Sequence, residues 1–131
     1  GLTPKLLDSF PSESVVFDKM IFNLADQTDI MAVVKATGRK TAILTGLETD
    51  VCVAQSALGL MKAGYSVAAV ADACASPGDA HQAGLKRIEA AGGLLTTVKS
   101  LYYEWIRTVE LANQFSTGKY SWIKRPDGIV F

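Results

Sequence analysis

The feature that most restricts the fold is an alternation of two patterns. Short apolar segments rich in β-branched residues recur along the chain, and each is followed by a stretch with helical spacing. Thr41–Leu44, Tyr65–Ala71 and Leu94–Val98 read as strands, and Ser14–Phe17 reads as another ahead of them. Helical patterns fall at Ile21–Ala36, Cys52–Ala63, Asp79–Ala91 and Leu101–Leu111, with stops at Gly38, Gly64 and Gly92-Gly93. This order predicts an α/β fold, a three-layer α/β/α sandwich around a mostly parallel sheet. Val67-Ala-Ala-Val70 is apolar throughout, as a strand covered on both faces is. Such sheets bind ligands beyond the carboxyl ends of their strands. Lys19, Glu48–Cys52, Asp72–Pro77 and Thr97–Ser100 fall at those ends, so separate segments converge on one rim.

Composition narrows the function classes. Lysine plus arginine number 13 and acidic residues number 13, so neither nucleic acid nor an anionic membrane surface is the expected partner. No apolar run approaches the roughly 20 residues of a membrane-spanning helix. The first residues carry neither a basic leader pattern nor a cleavage-like site, so a cytoplasmic protein is expected. A Cys52–Cys74 disulfide is disfavoured, because a single bridge in a chain without secretory features is unusual. One histidine and two scattered cysteines do not supply the ligands of a zinc site, and no Gly-rich phosphate loop occurs. Neither a metal nor a cofactor is expected.

The candidate chemistry centres on Thr41–Val53, which reads as strand, sharp turn and a cysteine opening a helix. Unpaired N–H groups and the positive dipole end at a helix start favour thiolate over thiol. Cys52 is therefore the candidate nucleophile, and backbone N–H groups of the turn around Glu48 can receive an oxyanion. Lys19 sits just past a strand end on the same rim, where its charge can tune a thiol or stabilise a transition state. Phe22, Asp72 and Ser76 are candidates to line a substrate, although caps and loop geometry account for the last two as well. His81 acts as a base only within hydrogen-bond reach of the cysteine, and a surface or capping role is the blander reading. Aromatic residues among turn formers after residue 111 suggest an arm, 112–131, that packs on the domain 1–111 or on a neighbouring subunit.

These residues resemble the isochorismatase-like cysteine hydrolases. The match runs through Phe17-Asp-Lys19, Leu44-Thr-Gly-Leu-Glu-Thr-Asp-Val-Cys-Val53, Ala57–Tyr65, Val70–Ser76 and Gly93–Thr97, in family order. The resemblance implies an aspartate–lysine–cysteine triad, of which Lys19 and Cys52 match two members. It implies a non-proline cis peptide between Leu47 and Glu48, and an oxyanion hole from the N–H groups of Glu48 and Cys52. The activity implied is hydrolysis of an amide-like C–N bond in a small molecule through a cysteine thioester. True isochorismatases cleave a vinyl ether instead, and some lack the cysteine. The triad aspartate follows an amino-terminal strand in the family, and no matching segment precedes Ser14. The chain is thus expected to be incomplete at its start, and a homo-oligomer is expected to cover the gap. A scaffold that binds a small ligand or a partner protein without catalysis is the alternative.

Overall fold

The computed structural model describes residue 8 and residues 10–117. Among them, β1 (Thr41–Leu47), β2 (Ser66–Ala75) and β3 (Leu94–Thr96) form one parallel sheet in the order β1-β2-β3. Helices α1 (Thr28–Ala36), α2 (Ala54–Lys62), α3 (Ala80–Ala90), α4 (Val98–Ile106) and α5 (Val109–Thr117) connect or follow the strands. A 3₁₀ turn, Leu24–Asp26, precedes α1, and a π-helical turn, Thr49–Val53, joins β1 to α2. The α/β architecture expected from the alternation is present.

Period two sorts the strand residues between the sheet's faces. Ala42, Leu44, Val67, Ala69 and Leu95 face a core completed by Met31 of α1, Ala54, Ala57 and Leu60 of α2, and Ile88 of α3. Alanine at positions 54 and 57 lets α2 lie close to the sheet, and both side chains are fully buried. Val70, one residue on from Ala69, points to the opposite face and is also buried. Helix α4 packs against β2 and buries its terminal Ile106. No helix among the described residues is long and apolar enough to cross a membrane.

Several expected boundaries move. Ser14–Phe17 is not a strand, and Val15 and Val16 remain exposed. β-favouring residues make a strand only where a ladder partner is present, and the edge of β1 away from β2 is unpaired among the described residues. The Ile21–Ala36 pattern splits into the 3₁₀ turn and α1, because Gln27 adopts an extended backbone between them. The Leu101–Leu111 pattern instead divides at Arg107, whose φ of 66° ends α4 before α5 begins. The start of the expected arm is thus helical, and Tyr120, Trp122 and Phe131 lie outside the described residues.

The register between β1 and β2 contains one irregularity. Leu44 pairs with Ala69, but Gly46, two residues on, pairs with Cys74, five residues on. β2 therefore bulges outward between these pairs, which carries Asp72 away from the β1 rim.

Candidate active site

The carboxyl end of β1 makes the site. The Leu47–Glu48 peptide is cis. After it the chain enters the π-helical turn, where the N–H groups of Val51 and Val53 both donate to the carbonyl of Glu48, at 3.2 and 3.0 Å. Cys52 is the fourth residue of this turn, so it precedes the α-helix proper, whereas the sequence pattern placed it at the first residue of α2.

Lys19 reaches the same place from the amino-terminal segment. Its Nζ donates to the carbonyls of Ile21 at 2.8 Å and Phe22 at 3.2 Å, which fixes the ammonium within its own turn. Ser56 ties that segment to α2. Its hydroxyl accepts from the N–H of Leu24 at 3.1 Å and donates to the carbonyl of Phe22 at 3.2 Å. Ser56 lies four residues beyond Cys52, on the same face of the helical path. Together Lys19, Cys52, Ser56, Leu24, Leu44, Thr45, Leu47 and Val53 line a cavity of about 140 Å³. None of these lining residues carries a carboxylate.

The remaining candidates lie elsewhere. Phe22 is 59% exposed and contributes its backbone carbonyl rather than its ring. Asp72, displaced by the bulge, accepts from the N–H of Val98 at 2.8 Å and so caps the start of α4. Ser76 donates to the carboxylate of Asp50 at 2.6 Å and accepts from the Asp50 N–H at 3.3 Å. Neither Asp72 nor Ser76 lines the cavity. His81 shares a 2.9 Å hydrogen bond between its Nδ1 and the hydroxyl of Thr49, not with Cys52. Glu48, whose N–H follows the cis bond, is exposed, and Cys52 is half-buried.

Cys74 is a free thiol of a different kind. Burial pushes its pKa up, the nearby Asp72 charge adds to that, and the Gly46 backbone hydrogen bond opposes it. The folded protein therefore holds this proton where a solvated thiol, with a pKa of about 8.5, ionises. The stability this contributes is full below the unfolded pKa and is lost as pH rises from there through the raised folded value. Iodoacetamide at pH 7.5 is expected to modify Cys52 while Cys74 reacts only after denaturation. Peptide mapping by mass spectrometry checks this, and equal labelling of both cysteines in the folded state would refute it.

Gly84 governs how closely α3 approaches the turn. A Cβ there would sit 2.6 Å from the Asp50 nitrogen, 2.7 Å from its Cα and 2.8 Å from the Thr49 carbonyl carbon. All three are backbone atoms, so no rotamer change relieves the overlap. Gly84→Ala is expected to cost about 1–3 kcal/mol, read from the denaturant midpoint. An unchanged midpoint would show that the helix and turn separate freely.

A sequence profile of the isochorismatase domain matches residues 3–100. The chain belongs to the isochorismatase family. The probable hydrolase YcaC of Escherichia coli is 33% identical over 121 residues, covering 88% of this chain and 58% of that protein. Its crystal structure, described as an octameric hydrolase of unknown specificity, superposes with a TM-score of 0.77 at 32% identity, over 88% of this chain and 60% of that one. YcaC from Pseudomonas aeruginosa, solved with hexane-2,5-diol and covalent acrylamide, gives 0.76 at 32% identity, over 87% and 59%. The MAR1 ribonuclease of Caenorhabditis elegans gives 0.77 at 25% identity, over 99% and 67%. This isochorismatase-family chain thus spans less than two thirds of the length of the YcaC proteins it matches.

Proposed function

We propose that the family chain carries the nucleophile side of a cysteine hydrolase that cleaves an amide-like C–N bond in a small molecule. The observation that carries this reading is the cavity at the β1 terminus that Cys52 and Lys19 line together. The Cys52 sulfur adds to the substrate carbonyl, the C–N bond breaks, and the amine leaves with a proton. Water then attacks the thioester, releases the acid and returns the proton to sulfur. The N–H groups of Glu48 and Cys52 receive the oxyanion, and the Lys19 ammonium stabilises negative charge beside it. A covalent acrylamide in the Pseudomonas aeruginosa relative is in keeping with a reactive nucleophile on this fold.

The cavity is smaller than the roughly 300–1,000 Å³ of complete ligand pockets. It suits the reacting end of a substrate, with further walls supplied by more of the protein or by a second subunit. The octameric state of the Escherichia coli relative supports a homo-oligomer. The net charge of zero favours a small molecule over RNA. Free Cys52 and Cys74 suit the reducing cytoplasm.

Among the described residues the cavity wall holds no carboxylate, and this motivates a second reading, a scaffold that binds a ligand without turnover. Iodoacetamide separates the two. An activated Cys52 is expected to react at pH 7 at least tenfold faster than glutathione, and Lys19→Met is expected to slow it about tenfold. A Cys52 no faster than glutathione would sink the nucleophile reading.

A further inference from the structure

We infer that His81 and Ser76 are positioning residues for the nucleophile, acting through a clamp on the turn that carries Cys52. The inference rests on the reading of Cys52 as a nucleophile. The turn begins with Thr49 and Asp50, and each is gripped from a different element. Thr49 is fully buried, and its hydroxyl is paired with His81 Nδ1 from the first turn of α3 at 2.9 Å. Asp50 is held twice by Ser76, which follows β2, through its carboxylate and its N–H. The backbone of α3 closes on the same two residues at Gly84.

The clamp determines where the thiol sits. A π-helical turn is rare and is not kept by local propensity alone. Here the N–H groups of Val51 and Val53 converge on one carbonyl, that of Glu48, so the backbone around Cys52 depends on how Thr49 and Asp50 are anchored. A side-chain bond to a buried hydroxyl also leaves an unsatisfied polar group when its partner is removed. Losing His81 therefore does more than delete one contact, because Thr49 must then turn toward another partner and take the start of the turn with it. Neither His81 nor Ser76 lines the cavity, and their hydrogen bonds go to Thr49 and Asp50. Their influence passes wholly through the turn.

The test is the rate of Cys52 alkylation by iodoacetamide in the full chain, resolved from Cys74 by peptide mass mapping, with thermal melting recorded for every variant. His81→Ala and Ser76→Ala are each expected to slow Cys52 alkylation about tenfold in folded protein. His81→Asn, which keeps a polar atom near the Nδ1 position, is expected to restore the rate to within about twofold. Thr49→Val added to His81→Ala is expected to cause little further loss, since both changes remove the same bond. If His81→Ala does not fold, Thr49→Val and Ser76→Ala read the same quantity. Variants that melt lower yet alkylate at the parent rate, or faster, would overturn the clamp and leave a purely structural role. A parent Cys52 as slow as glutathione overturns the nucleophile reading instead, and that result comes from the unsubstituted chain alone.

Discussion

Cys52→Ala is expected to lower kcat/KM for any amide the protein hydrolyses by about 10³-fold or more, or ~4 kcal/mol of transition-state stabilisation. In the proposed mechanism the sulfur is the atom that forms the thioester, and neither the Lys19 ammonium nor the backbone N–H groups supply a nucleophile in its place. The cavity keeps its other walls, so substrate binding is expected to change far less than turnover. The measurement is a screen of small amides by ammonia or amine release, with the variant as control. Activity that survives the substitution would exclude covalent catalysis at Cys52. Activity that disappears while the melting temperature holds would assign the chemistry to the thiol.

Ile88→Ala is expected to destabilise the fold by about 3 kcal/mol, within the ~2–5 kcal/mol seen when a buried isoleucine is truncated to alanine. Ile88 is fully buried in the core that joins α3 to the sheet and α2. Its Cγ2 also lies where a Cβ on Gly93 would fall, at 2.6 Å, so the packing here is close on both sides. For a domain of this size, the loss corresponds to a drop of about 10 °C in Tm. Ile88→Val, which removes one methylene, is expected to cost only about 1 kcal/mol. A Tm change under about 2 °C for the alanine variant would show that α3 is not part of the cooperative core.

Much of the scaffold is legible in the residues themselves. The apolar segments around Ala42–Leu44 and Val67–Val70 announce strands, although only β2 is buried on both faces and Ile43 of β1 is exposed, and the glycines at 38, 64 and 92 mark helix ends with positive φ. These signals are local, as is the strand–turn–cysteine pattern that singles out Cys52. Ser14–Phe17 shows where local signals fail. Its residues favour an extended backbone, but a strand also needs a neighbour to accept its hydrogen bonds. The helical pattern through Leu101–Leu111 fails for a related reason, since one residue, Arg107, adopts a conformation that spacing does not reveal.

The site divides along the same line. Lys19 and Cys52 could be nominated from their chemistry, and the structure places both on one cavity. Asp72 and Ser76 could not be assigned from type alone, because a carboxylate or hydroxyl at a strand end serves equally well as a cap, a brace or a ligand. The bulge in β2 sends Asp72 to the start of α4, and Ser76 braces Asp50. Ser56 and Thr49 gave no usable signal beyond their spacing. Both are small hydroxyl residues whose partners, Phe22 with Leu24 and His81, are distant in the chain.

By itself the sequence determined the alternation of strands and helices, a candidate thiol, and the family to which the chain belongs. These properties depend on neighbours within a few residues or on motifs read in order. Only the tertiary structure decided which polar side chains share a cavity with Cys52 and which bond to the turn that carries it. Those pairings join residues some thirty positions apart, such as Thr49 with His81 and Leu24 with Ser56. They exist because close packing of α3 and α2 brings those side chains within hydrogen-bond distance.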